Sequence, residues 1–237
     1  MRNSLTHPPS FVLCYEALSD WHFGEIVSCQ AAITEAISLA KELNDMVGLA
    51  AALRFSAHIA HYNRNTTEVE RFASELIELS TRHNFSYWLA TGTIFRGWAR
   101  SVSGDTAQGI SWLEEGIEDF RATGVTLSVP YWLALKAEAL QLAERTSEAL
   151  EAISKAEAIA ERSQERDCYA ELHRLRDMFL AVIGADESQI EASFCEAIRI
   201  AKEQKSVSLE KRAEATYAEY RRQKASGSGG RGFRLSL

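Results

Sequence analysis

The side chains that could do chemistry in this 237-residue chain are scattered along it and form no motif. His58 and His61 stand three residues apart, which places both imidazoles on one face of a helix, where they could share a metal ion. A zinc centre needs one or two more ligands and partners that orient the histidines, and H-E-x-x-H is absent. The pair therefore reads as packing or surface histidines. His173, with Glu171 and Arg174 beside it, reads as part of a polar network between neighbouring structural units and not as a general base. No G-x-S-x-G elbow presents a nucleophile. A P-loop needs Lys and Ser/Thr after its glycines so that ammonium and hydroxyl meet phosphate and magnesium, and none is present. Gly227, Gly229 and Gly232 fit G-x-G-x-x-G by spacing alone, with no strand before them and no helix after. No catalytic, metal or cofactor set is assigned, and the chain reads as a non-enzyme.

The elements that must position any other kind of site are helices. Only three prolines occur (Pro8, Pro9 and Pro130), and glycine is sparse until the end. Helical periodicity runs from Phe11 to about Lys224 and predicts eleven helices, over 11–23, 25–43, 46–63, 67–83, 86–103, 106–122, 129–144, 147–163, 167–183, 187–204 and 207–224. Breaks fall at Gly24, Asn44-Asp45, Asn65-Thr66, Asn84, Gly104-Asp105, Gly124, Arg145-Thr146, Gly184 and Lys205-Ser206. Thr67 and Glu70 have capping-box spacing, and Pro130 falls in a first helical turn. Residues 1–10 read as a disordered lead-in and 225–237 as a flexible Gly/Ser/Arg tail.

The helices repeat with a period near 40 residues. In the second helix of each pair one column reads Cys29, Val69, Ile110, Ala149, Ile190, and three more columns follow at steps of 3, 4 and 3. Of their twenty positions only Ser193 is polar. The first helices give the column Ala17, Ala57, Gly97, Ala137, Asp177, small residues that let paired helices approach closely, with Asp177 as the exception. The chain is thus expected to be an all-α solenoid of five TPR-like helix pairs plus a closing helix, spanning 11–224.

A second column on the first helices reads Glu16, Ser56, Arg96, Lys136, Arg176. Three successive repeats place a cation at one site, and none of the three has an acid at i±3 or i±4. Two readings compete: pairing with acids on the next helix, or a basic ladder on the concave side that receives an acidic peptide, with Tyr131 or Trp132 as its apolar anchor. The aromatic cluster Tyr87, Trp88, Phe95, Trp98, Trp112, Phe120, Tyr131, Trp132 reads mainly as core.

Charge and composition bound the partners. The five basic residues from Arg221 onward stand without an acid, so residues 1–220 hold 21 basic against 33 acidic side chains, a net −12. An acidic body argues against nucleic-acid binding. No apolar run reaches the roughly 18–20 residues of a membrane span, and no signal peptide is visible. Cys14, Cys29, Cys168 and Cys195 form no C-x-x-C pair and read as buried free thiols, which suits the cytoplasm.

The stretches WHFGE (21–25), YWLATGTIFRGWARSVSGD (87–105), IEDFRATGVTLSVPYWLALKAEAL (117–140), YAELHRLRDMFL (169–180) and SLEKRAEATYAEYRR (208–222) resemble the C-terminal repeat region of large bacterial class III adenylate/guanylate cyclases fused to an AAA-type ATPase. The repeats are of the long TPR style of MalT-type regulators. The resemblance covers nearly all of 7–222, departs from the family at Asp177, and lacks a further helix pair after 224. It implies a non-catalytic protein-interaction or regulatory module of bacterial signalling, with a protein or peptide partner that includes a cyclase or ATPase domain as a candidate. The alternative is a small-ligand-sensing domain that controls a cyclase or transcription regulator. The paired carboxylates on a sheet that cyclisation needs are missing. The absent helix pair leads us to expect Ala213, Tyr217 and Tyr220 exposed on the last helix, open to self-association or fraying.

Overall fold

The computed structural model describes residues 9–226. Among them are eleven helices and no strand: α1 Pro9–Phe23, α2 Ile26–Glu42, α3 Met46–Tyr62, α4 Thr66–His83, α5 Ser86–Val102, α6 Thr106–Ala122, α7 Val129–Leu142, α8 Thr146–Ser163, α9 Tyr169–Ile183, α10 Glu187–Glu203 and α11 Val207–Ala225. Pro9 and Ser10 belong to α1, where Ser10 is buried, and Ala225 closes α11. The rest of the expected lead-in and tail, 1–8 and 227–237, lies outside the described residues.

Local chemistry sets these boundaries. Side-chain oxygens of Asp45, Asn65, Asp105, Asp186 and Ser206 accept from the first free backbone N–H groups of α3, α4, α6, α10 and α11. The cap of α4 is Asn65, which accepts from Glu68 N at 3.2 Å, and not Thr67. Thr66 and Thr67 already lie inside the helix, because the Asn65 carboxamide oxygen takes the amide three residues on. Helix ends turn on left-handed residues at the same 40-residue period. Gly24, Arg64, Gly104, Glu144 and Gly184 close the first helices, while Asn44, Asn84, Gly124, Gln164 and Lys205 close the second.

The odd-numbered helices pack on one another in order, whereas the even-numbered ones touch only their neighbours in sequence. The result is an inner layer of six helices and an outer layer of five. The small-residue column lies where the layers meet: Ala17, Ala57, Gly97, Ala137 and Asp177 are all buried. The tightest joint is α5 on α6. A Cβ on Gly97 would lie 2.8 Å from both Gly109 O and Leu113 N, and one on Gly116 would lie 2.8 Å from Ile94 Cγ1. Backbone meets backbone there, and only glycine fits. Phe95, Phe120 and Trp132 fill the space behind it, with Trp132 edge-on to Phe95 at 5.3 Å.

The last helix is not left open. α11 packs on α9 and α10 and also reaches α1, so the inner helices close into a ring. Ala213 and Tyr220 are buried, and Phe194 of α10 stacks on Tyr217 at 5.2 Å. The expectation of an exposed apolar side on this helix is therefore corrected: α10 covers it. Across the closure His22 Nδ1 meets Ser206 Oγ at 2.8 Å, and Ser208 Oγ donates to the Trp21 carbonyl at 2.5 Å. Cys195 is exposed, in contrast to the other three thiols, because it falls outside the apolar columns of α10.

Candidate functional site: the polar centre of the inner ring

The basic column does not face the ring. Arg96 Nε pairs with Glu70 of α4 at 3.2 Å, Lys136 Nζ with Glu114 of α6 at 2.6 Å, and Arg176 Nη1 with Glu157 of α8 at 2.7 Å. Each partner sits on the preceding outer helix, and Arg96 also lies over the Trp112 ring of α6. The three cations thus occupy the side of the inner helices turned toward the outer layer, paired with acids as the first of the two sequence readings had it, but on the preceding helix and not the next. The ladder free of carboxylates on a concave surface is corrected. So are its anchors: Tyr131 and Trp132 are buried, Tyr131 against His58 and His61, and Trp132 against Phe95 and Phe120 with the Arg54 guanidinium beside it.

What the ring encloses is a connected set of charged side chains that periodicity did not single out. Glu138 of α7 is 0% exposed and accepts from Trp98 Nε1 at 2.9 Å and from both terminal nitrogens of Arg64. Glu171 of α9, equally buried, takes Arg174 Nη2 at 2.7 Å and Nε at 2.8 Å, Arg212 Nη1 at 3.2 Å and Arg64 Nη2 at 3.5 Å. Arg212 of α11 also donates to the Tyr62 carbonyl at 3.0 Å, which ties the last helix to α3. Tyr131 Oη lies 2.8 Å from His61 Nδ1, and His61 Nε2 lies 3.6 Å from Glu138. His173 lies outside this network, on a face of α9 against Tyr169 where Glu196 and Arg199 of α10, in the neighbouring repeat, bear on it.

The electrostatics follow from burial and pairing. Burial pushes the Glu171 carboxyl up, but Arg174, Arg212 and Arg64 outweigh it and hold it at about 2. Glu138 is likewise held well below the carboxylate range, since Arg64 and His61 overcome the desolvation. Burial takes His61 down to about 4 and His58 well below its ordinary value, so both imidazoles are neutral at pH 7. Three buried or half-buried arginines (64, 174, 212) thus meet two buried glutamates, a cationic excess inside an acidic protein. The sequence signal for this site was faint but present: Glu138 is the lone acid in the apolar helix VPYWLALKAEALQL.

Asp177, the exception among the small residues, faces α10. Both its carboxyl oxygens lack a hydrogen bond of good geometry, although Ser193 bears on it, and burial raises its pKa to about 8. Among the described residues no group of three or more His, Cys, Asp or Glu is placed to hold a metal ion, and no helix is long and apolar enough to cross a membrane.

No protein-family model matches the sequence. A Rhizobium meliloti (strain 1021) protein known as uncharacterized protein R02095 is 25% identical over 197 residues, 83% of this chain and 19% of that protein. The chain therefore spans about a fifth of the length of this relative. Among solved structures, Bacillus thuringiensis PlcR in complex with the peptide PapR7 and DNA superposes with a TM-score of 0.71 at 16% identity, over 87% of this chain and 73% of that one. The Pyrococcus horikoshii signal transduction ATPase with numerous domains PH0952, which has a tetratricopeptide repeat sensor, superposes with a TM-score of 0.51 at 13% identity, over 93% of this chain and 37% of that one. The fold is a TPR-like helical-repeat solenoid. At these identities the likeness shows the fold alone.

Proposed function

We propose that the chain is a non-catalytic regulatory module of a bacterial signalling system, working in the cytoplasm and receiving its ligand or partner on the inner face of the ring. The observation that carries this reading is the polar centre: side chains of five inner helices, α3, α5, α7, α9 and α11, or of the turns that follow them, meet there, so one bound group would touch most of the solenoid. PlcR was solved with a peptide and PH0952 carries its repeats as a sensor, which supports the same use here. The small fraction of R02095 that is matched supports a module belonging to a larger system.

The finer reading is that the partner is a class III cyclase or AAA-type ATPase domain, following the resemblance in 87–105, 117–140 and 208–222. Purified domains of each kind, mixed with the chain and followed by size-exclusion chromatography and calorimetry, test it. A complex with either domain is expected, and binding to neither removes the cyclase-linked reading. The second reading, a small-ligand sensor, rests on the buried cationic excess. It is separated by thermal shift, because a ligand that binds only the folded state raises its stability with concentration.

A further inference from the structure

We propose that the inner face holds a carboxylate-binding site at Arg54, completed by His58 and Trp132. The proposal deepens the functional reading above and rests on the inner face being the receiving surface. Arg54 of α3 is 6% exposed. Its polar contacts are with neutral groups only: Nη1 lies 3.3 Å from His58 Nδ1, and Nη2 donates to Ser128 Oγ at 3.3 Å. Its guanidinium sits 4.7 Å from the Phe55 ring and 5.3 Å from the Trp132 ring. The arginines of the neighbouring network, Arg64, Arg174 and Arg212, all have a carboxylate within ion-pair distance, whereas among the described residues Arg54 has none. Glu165 bears on it electrostatically, but that carboxylate accepts from Ser128 N at 2.5 Å.

The same place is rich in donors and poor in acceptors. Arg54 Nε, His58 Nε2 and Trp132 Nε1 are buried and have no hydrogen-bond partner among the described residues. The His58 tautomer follows from its neighbour: a guanidinium can only donate, so Nδ1 accepts, and the neutral ring carries its proton on Nε2. Three N–H groups without an acceptor thus lie in one neighbourhood, around a guanidinium that forms no ion pair among the described residues: His58 is 3.3 Å from it and the Trp132 ring 5.3 Å. Buried polar groups are almost always satisfied, and a buried charge almost always paired. A planar carboxylate group with its two acceptor oxygens is the complement, and a tetrahedral phosphate group is not. The edge of the site is Ser128, half-buried and left-handed with φ 70°, at the start of α7.

The test uses the full chain and three probes at ionic strength matched by sodium chloride: citrate, inorganic phosphate and an acetylated hexapeptide of alternating aspartate and glutamate. Thermal unfolding and tryptophan fluorescence report binding. Citrate or the hexapeptide is expected to raise the wild-type Tm saturably. Arg54→Met should weaken half-saturation tenfold or more, and Trp132→Phe, which keeps a ring but removes the N–H, severalfold. Arg96→Gln on the outer face should change nothing. In chloride alone Arg54→Met should melt at or above wild type, since an unpaired buried charge is removed. Stronger response to citrate assigns a small organic acid, and stronger response to the hexapeptide assigns a peptide carboxylate. The site is overturned by a wild type that responds to none of the probes, by a preference for phosphate, or by unchanged half-saturation in Arg54→Met. If Arg54→Met does not fold, unchanged half-saturation in Trp132→Phe overturns it instead. A wild type that binds a cyclase or ATPase domain but no probe loses the anion site and keeps the interaction reading.

Discussion

The indole N–H of Trp98 donates to Oε2 of Glu138 at 2.9 Å, joining residues one 40-residue repeat apart. Both are buried, and the same carboxylate holds Arg64, whose side chain enters from the turn after α3. Arg64 stands where three of the other four repeats have glycine, with φ 55°. The left-handed turn there is taken by a bulky residue because its guanidinium is needed at Glu138. Removing the glutamate leaves that charge without its main partner. Glu138→Ala should therefore lose about 3–5 kcal/mol in urea unfolding. The double change Arg64→Met, Glu138→Met should lose much less, since apolar replacement of both partners of a buried pair is often tolerated. A double variant as unstable as the single one would show that the pair is not the source of the loss.

The pH dependence of stability should have two opposed arms. Unfolded histidine titrates at about 6.5 and unfolded glutamate at about 4.3. His61 is held down to about 4 in the fold and Glu171 to about 2. The unfolded chain takes up protons first at both, so stability falls as pH drops from about 6.5 toward 2. Asp177 works the other way. With its folded value raised to about 8 against about 3.9 unfolded, it lowers stability as pH rises from about 4 to 8. Asp177→Ala restores the residue used at the equivalent position in three other repeats. It should remove the upper arm and raise stability at pH 8 by about 1–3 kcal/mol. A variant whose stability still declines between pH 4 and 8 would assign that slope to another group.

The α5–α6 joint should tolerate no side chain at Gly97. Even Gly97→Ala brings a Cβ to 2.8 Å from two backbone atoms. It is expected to cost about 1–3 kcal/mol, read as a lowered Tm, and Gly97→Leu more. An unchanged melting curve for the leucine variant would mean that the helices separate freely at this point.

Thiol labelling of the native protein should be confined to Cys195. Burial pushes Cys14 up to about 12, Cys29 up to about 11 and Cys168 well above the ordinary range, which leaves little thiolate. Mass spectrometry after a short maleimide pulse at pH 7.5 should find one adduct, and early modification of Cys14 or Cys168 would contradict the burial described.

Ring closure makes α11 a structural member. Its amides should exchange about as slowly as those of α9, and Arg212→Ala, which cuts the contacts to Glu171 and to the Tyr62 carbonyl, should speed exchange in α11 first. Uniform exchange across the inner helices in that variant would mean that the closure is held elsewhere.

The sequence alone determined the helices, their period and their layering. Those features depend on local propensity and on which residues must be small or apolar, and both can be read column by column, as Ala17, Ala57, Gly97 and Ala137 show. It also identified the basic column, but it could not say which way that column faced. A repeat period assigns residues to a common face without saying which neighbour that face meets. Only the packing decided that Arg96, Lys136 and Arg176 turn to acids on the outer helices. The polar centre was hidden for a related reason. Arg54, Arg64, Glu138, Glu171 and Arg212 come from five places in the chain, only Glu171 and Arg212 stand one repeat apart, and none of them forms a column of like residues. What brings them together is the curvature of the inner layer and the contact of α11 with α1. That curvature is the sum of small offsets at every helix–helix joint, and no single stretch of the sequence carries it.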